Sequence, residues 1–242
     1  MTKIFENYES PWMNEELSIL RDAAKRFFET EFVPHNEKWI EQGKIDREAW
    51  NKAGEAGLLC AEIPAQYGGG GGDYRHETIV TEEQLGAGIS GLGNQVHSQI
   101  VAPYILHYGN EDQKQNWLPG LINGDCQLTF AYAEEQSRFD LEDVLTRAKP
   151  DEEGGFIIDG TKSMVLHAGS ADAMIVSCRT SGGQYEKKGI SLFLVPKDLQ
   201  GIHINSFETV DGQRAAEVRF ESVRVDMNAL LGGEGNAFST IK

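Results

Sequence analysis

Asn123-Gly124-Asp125-Cys126-Gln127-Leu128-Thr129-Phe130-Ala131-Tyr132-Ala133 is the stretch at which the chain changes its hydrophobic period. Before it, apolar residues recur at three- and four-residue steps, the stripe of a half-buried helix; after it they fall into short runs with period two, the pattern of strands. Towards the amino terminus, Leu17, Leu20, Ala23, Ala24, Phe27, Phe28 and Phe32 form one stripe that starts after Asn14, and Pro34 is expected to end or bend it. Asp46 stands where a second helix, carrying Trp50, Ala53, Ala56, Leu58 and Leu59, needs an N-cap. Further helical stretches are expected near residues 77–85 and 94–107. Gly109 reads as a helix stop, and Asn110-Glu111-Asp112-Gln113 as the capped start of a short helix ending before Pro119.

Towards the carboxyl terminus, residues 128–133, 156–158, 173–178, 190–195, 202–205 and 218–220 read as strands. Turn signals separate them, among them Asp159-Gly160, Ser181-Gly182-Gly183 and Asp211-Gly212. Many short strands at near-regular spacing argue for a small barrel or sandwich. The expected fold class is α+β: an all-helical domain at 1–123, then a small antiparallel β-barrel domain at 124–233. At 234–242 the segment Phe238-Ser239-Thr240-Ile241-Lys242 reads as the amphipathic beginning of another helix.

The 242 residues carry 22 Lys+Arg against 38 Asp+Glu, a formal charge of −16 that both halves share. Such a surface repels phosphate backbones and anionic headgroups, and no Lys/Arg cluster offsets it, so neither nucleic acid nor a membrane surface is expected as a partner. Cys60, Cys126 and Cys178 are widely spaced and form no C-x-x-C pair, which points to a reducing compartment. The first ten residues are polar, and no apolar run approaches the ~18 residues of a membrane span. A soluble cytoplasmic protein is expected.

Local motifs carry little chemistry by themselves. The run Gly68 to Gly72 lacks a following G-K-[ST] and reads as a tight connecting loop rather than a phosphate cradle. The six histidines offer no i,i+4 pair with an acidic third ligand, so no metal site is expected. Glu134 and Glu135 are adjacent carboxylates beside a strand end, but neighbours on a strand face opposite ways, which favours a solvated pair over an acid/base dyad.

In order along the chain stand five longer stretches. They are Trp50 to Leu59 with Ile63-Pro64-Ala65-Gln66-Tyr67-Gly68-Gly69; His97 to Ile105 with Gly109 to Lys114 and Trp117 to Gly124; Gly155 to Lys162; Gly189 to Pro196; and Val223-Arg224-Val225 with Leu230 to Phe238. Together they resemble the acyl-CoA dehydrogenase family over nearly the whole chain. The resemblance implies a helical N-terminal domain, a middle β-barrel domain and a C-terminal four-helix domain that would start near Glu234. It also implies FAD, an acyl-CoA thioester as substrate, electron-transfer flavoprotein as electron acceptor, and a homo- or hetero-oligomer. In the family a glutamate removes the α proton while the β hydrogen leaves as hydride to the flavin. That glutamate belongs to the C-terminal domain, so no catalytic base is expected in this chain, and the chain alone is expected to be inactive.

The flavin-binding positions depart from the family. Where the family has A-x-T-E-P-x-x-G-S-D, this chain reads Ala131-Tyr132-Ala133-Glu134-Glu135-Gln136-Ser137-Arg138-Phe139-Asp140, so Ala133 replaces a threonine and Phe139 a serine. Where the family has W-I-[TS]-N, the chain reads Met164-Val165-Leu166-His167. Main-chain groups near Phe130, Tyr132, Ala133 and Leu166 remain candidates for holding the ring, with Met164 and Phe139 beside it. One wall of the acyl slot is expected around Gln95, Gln99 and Val101. The middle section is similar to the small subunits of heteromeric dehydrogenases, which makes a flavin-poor, non-catalytic partner subunit the alternative reading. A flavin-dependent monooxygenase on the same fold is a further one.

Overall fold

The computed structural model describes residues 10–138 and 140–242. Helix α1 (Glu15–Phe27) starts at Asn14, whose side chain accepts the Leu17 N–H at 2.8 Å, and it carries Glu15 and Glu16 in its first turn and Lys25 and Arg26 in its last. A π turn at Phe28–Phe32 and a 3₁₀ turn at Val33–His35 follow, so Pro34 bends the chain into α2 (Asn36–Gln42). The π turn brings Phe28 edge-on to Phe32, and Phe32 edge-on to Trp39, with centroids 5.3 and 5.1 Å apart. Asp46 does occupy the N-cap position of α3 (Arg47–Glu55), yet its carboxylate accepts from the side chains of Lys38, Trp39 and Gln42 instead of capping the helix.

Helix α4 (Tyr74–Gly86) opens with a capping box between Asp73 and His76. The glycine run before it is a tight loop: Gly71 and Gly72 donate to the Ile63 and Ala61 carbonyls at 2.9 Å, and a Cβ on Gly69 would lie 2.0 Å from the Ile63 oxygen. Its donors are therefore turned inward rather than offered to an anion. The continuous helix expected at 94–107 is interrupted, with α5 (Asn94–Val96), a π turn at His97–Val101 and α6 (Ala102–Tyr108) in succession. Helix α7 (Glu111–Ile122) does not end before Pro119 but runs through it. Proline removes one backbone hydrogen bond there, while Leu118, Leu121 and Ile122 are buried along the turn that contains it.

The second half is one eight-stranded sheet: β1 (Leu128–Ala131), β2 (Arg147–Pro150), β3 (Phe156–Leu166), β4 (Ala173–Arg179), β5 (Ile190–Pro196), β6 (Ile202–Glu208), β7 (Arg214–Val225) and β8 (Leu230–Leu231). Strand order is β6-β7-β3-β2-β4-β5-β8, with β1 added beside β4. The helical-then-β order is the expected one, and two details of the barrel are corrected. β1 pairs with β4 in parallel, Leu128 opposite Ala173, as does β2 at Arg147 and Arg179, so the sheet is mixed. Its edges β6 and β8 do not pair with each other, so it is not closed.

Strand β4 is buried along its whole length because it has a core on each side. Met174, Val176 and Cys178 face an inner core with Ile158, Phe193, Val218 and Phe220. Ala173 and Ile175 face a second core shared with the helices, through Ile63, Val101, Ile105, Leu118 and Leu121. At the rim of that junction Arg47 pairs with Asp172 at 2.6 Å, and Asp172 also accepts the Gln127 N–H at 2.7 Å.

Candidate functional site

Along β1 the pleat sends Ala131 into the inner core, while Phe130 and Tyr132 face the other way, towards the helices. There they wall a cavity of about 370 Å³. Gln99, Ile100, Pro103 and Tyr104 form the opposite wall, Leu141 closes it from the loop after β1, and Ile241 from helix α8 (Phe238–Ile241). The aromatic rings are stacked in series, Tyr104 to Phe130 at 5.1 Å and Phe130 to Tyr132 at 5.3 Å. The Tyr104 hydroxyl donates to the Thr240 carbonyl at 3.1 Å, and burial pushes this phenol above its ordinary pKa. Gln99 is held by its amide, which donates to the Thr81 hydroxyl at 2.5 Å and to the Glu77 carbonyl at 3.3 Å. The wall is apolar and aromatic, with polar atoms only at Gln99 and the two tyrosines.

Five of the six residues expected at the flavin lie on one continuous edge. Phe130 and Tyr132 are in the cavity wall. The Ala133 carbonyl accepts the Ser163 N–H at 2.9 Å, which sets Ala133 beside Met164, and the Leu166 carbonyl accepts the Thr129 hydroxyl. Met164 has φ +52° and is half exposed, and His167 after Leu166 has φ +58°, two uncommon left-handed residues on one strand end. Phe139 lies outside the described residues. Of the three residues expected at the acyl chain, Gln99 lines the cavity, whereas Gln95 does not and has a buried side-chain N–H without a partner among the described residues. Val101 is fully buried in the core shared with the sheet and is not in the cavity wall. Ile100 and Tyr104, and Gln99 and Pro103, are i,i+4 pairs whose stripe was readable in the sequence. Leu141 and Ile241 come from distant segments and left no local signal.

Beneath this edge lies a buried ion pair. Lys162 is fully buried and uses its three N–H groups on Glu134 Oε1 at 2.8 Å, Ser177 Oγ at 2.9 Å and the Tyr132 carbonyl at 3.2 Å. Burial pushes the Lys162 ammonium below its ordinary pKa while Glu134 opposes it. Burial alone would raise Glu134, but the Lys162 charge and hydrogen bonds from Lys162, Gln136 and Thr146 hold its carboxyl below the ordinary value. Glu134 is thus a paired internal group and Glu135 is exposed, so the two make no dyad. His167 bonds to Gln213 through Nε2 at 3.2 Å, burial lowers its pKa, and it packs so closely on Gly93 that a Cβ there would lie 2.5 Å from its ring.

These surroundings fit a planar, largely apolar ring lying against aromatic walls and main chain. At positions 133 and 166 they offer it no hydroxyl, since these are an alanine and a leucine.

Compared with known proteins, residues 14–125 match the family description "Acyl-CoA dehydrogenase, N-terminal domain" and residues 129–223 match "Acyl-CoA dehydrogenase, middle domain". The long-chain specific acyl-CoA dehydrogenase of Sus scrofa mitochondria is 36% identical over 232 residues, covering 93% of this chain and 53% of the relative. The crystal structure of an acyl-CoA dehydrogenase from Geobacillus kaustophilus superposes with a TM-score of 0.91 at 34% identity, over 96% of this chain and 62% of that one. A glutaryl-CoA dehydrogenase from Mycobacterium smegmatis in complex with FADH2 superposes with a TM-score of 0.82 at 27% identity, over 93% of this chain and 58% of that one. The chain spans about half the length of the curated relatives it matches.

Proposed function

The chain belongs to the acyl-CoA dehydrogenase family, and from that premise we propose that its aromatic cavity is this chain's share of the site at which an acyl-CoA thioester is desaturated between Cα and Cβ. The observation that carries the reading is the convergence of Gln99 and Tyr104 with Phe130 and Tyr132 on one cavity, at the seam between helices and sheet. Its walls match an acyl chain, and the adjoining edge from Ala133 to Leu166 is where FAD would be held. Bound there, FAD supplies the two-electron acceptor that desaturation requires. The glutaryl-CoA dehydrogenase of Mycobacterium smegmatis, solved in complex with FADH2, supports a flavin on this fold.

The chain's own residues align and enclose. Tyr104, Phe130 and Tyr132 exclude water around the thioester, which strengthens any hydrogen bond to a developing enolate. Removal of the α proton needs a base, and none of the described residues in the cavity wall carries a carboxylate or an imidazole. We therefore assign the base to a group outside these walls and read the chain by itself as inactive. Electron-transfer flavoprotein as acceptor, assembly into a homo- or hetero-oligomer, and a reducing, cytoplasmic setting belong to the same proposal. The three free cysteines, two of them buried, support the last of these.

A second reading is favoured by Ala133, Met164 and Leu166, which bring neither hydroxyl nor aromatic ring to the flavin edge: a partner subunit that completes another subunit's site. Incubation with FAD, desalting and a visible spectrum separate the two. Near-stoichiometric yellow protein is expected, with enoyl-CoA formation absent until a base-bearing chain is added. Colourless protein overturns the flavin-binding reading in favour of the partner subunit, and robust turnover by the chain alone overturns the assignment of the base.

A further inference from the structure

With no hydroxyl at positions 133 and 166, recognition at the flavin edge depends on where the main chain of residues 132–134 lies. The ladder with β4 ends at Ala131, and beyond it β3 gives that segment one main-chain bond, from the Ser163 N–H to the Ala133 carbonyl at 2.9 Å. Lys162 fixes the residues on either side of that bond, Tyr132 and Glu134. It reaches up from β3 and holds the Tyr132 carbonyl at 3.2 Å, with Ser177 Oγ on the same oxygen at 3.3 Å, which turns that carbonyl inward while the Tyr132 ring faces the cavity. Its 2.8 Å bond fixes Glu134, and the Glu134 carboxylate in turn accepts the Leu145 and Thr146 N–H groups at 2.9 and 3.0 Å and the Gln136 amide at 2.8 Å. The stretch thus clasped, residues 140–146, is the one that brings Leu141 to the cavity. Lys162 spends all three donors and Glu134 accepts four hydrogen bonds, so this buried pair is fully satisfied.

We propose that Lys162 and Glu134 are positioning residues: one buried ion pair sets both the Tyr132 wall and the Leu141 wall, and with them the main chain against which the cofactor ring lies. The flavin part of this inference rests on the proposed function; the clasp on the loop does not.

The test uses the double variant Lys162→Met/Glu134→Gln in the full 242-residue chain. It leaves no unpaired buried charge, a type of replacement that proteins tolerate with little loss of stability. The melting temperature is expected to stay close to the parent's. Amide hydrogen exchange in 132–146 should rise about tenfold or more while β4 and β5 keep their protection. The FAD dissociation constant should rise about tenfold, and the bands of bound flavin should move towards those of free FAD. Gln136→Ala, at an exposed residue, removes one donor to Glu134 and should raise exchange in 132–146 by a smaller factor, which keeps the clasp testable if the double variant does not fold. Parent-like exchange in either folded variant overturns the clasp. Increased exchange with an unchanged FAD dissociation constant and spectrum overturns its role at the flavin. A parent chain that retains no FAD overturns the proposed flavin site itself, and the exchange measurement still decides the clasp.

Discussion

His97 and Glu77 are both buried and answer pH in opposite directions. Burial holds the His97 imidazole down at about 4, with its Nε2 on the Leu121 carbonyl at 3.0 Å. Burial pushes the Glu77 carboxyl up to about 7, against the lowering effect of the main-chain N–H groups of Ala61 and Glu62. As pH falls from about 6.5 towards 4, the unfolded chain takes a proton that folded His97 refuses, so the stability His97 contributes is present above that window and lost on descending through it. For Glu77 the folded state keeps a proton that the unfolded chain releases above about 4.5, so its contribution is present at low pH and lost as pH rises to about 7. Each swing amounts to about 3 kcal/mol, and over the overlap they oppose each other. Glu77→Gln removes one of the two. Urea denaturation between pH 4.5 and 6.5 should then show stability rising with pH by about 2–3 kcal/mol more steeply than in the parent. Equal slopes in the two proteins would mean that Glu77 is already ionised in the fold.

At the scale of elements, Arg179 at the end of β4 shows what one side chain can organise. It is fully buried, and its guanidinium donates to the carbonyls of Val144, Glu142, Gln184, Glu186 and Lys188 at 2.8–3.2 Å, drawing the loop before β2 and the loop before β5 onto one strand end. An ammonium has three donors and no planar fork, so Arg179→Lys leaves buried carbonyls unpaired and should cost about 3 kcal/mol. The urea midpoint gives the loss, and amide exchange over 180–189 should rise with it; a loss below about 1 kcal/mol would show that water replaces the guanidinium. This role was not legible in the sequence, because an arginine in a strand reads as exposed. What was legible follows the same logic. Asn14 and Asn110 mark helix starts because capping is local chemistry, and residues 173–178 and 190–195 read as strands because continuous apolar runs mark burial on both faces. β2 and β8 were missed, being four and two residues long with no periodic signal. The parallel pairing of β1 with β4 and the continuation of α7 through Pro119 are decided by packing between segments far apart in sequence. The site divides in the same way: Phe130 and Tyr132 announced themselves by motif, whereas Leu141 and Ile241 join them only in three dimensions.

For the whole molecule the question is whether helices and sheet unfold together. The period change at Gly124 divides the chain into two patterns, but the core beneath β4 does not respect that division: Ile63, Val101, Ile105 and Leu118 from the helices bury the same surface as Ala173, Ile175, Leu192 and Leu194 from the sheet. Hydrophobic stabilisation scales with apolar area removed from water, so separating the halves would expose both sides of that core at once, along with the Arg47–Asp172 pair at its rim. Partial unfolding therefore lacks a stable half to stop at, and a single cooperative transition is expected. The sequence provides its own probes, since all four tryptophans precede Gly124: Trp39 and Trp50 are buried in the helical core, and Trp117 borders Leu194 and Val225 of the sheet. Tryptophan fluorescence and the amide-exchange protection of β4 and β5, followed through one urea titration, should give coincident midpoints and equal dependence on denaturant. If fluorescence is lost at a lower urea concentration than strand protection, the shared core is not what couples the halves, and the sheet is stable without the helices that cover it.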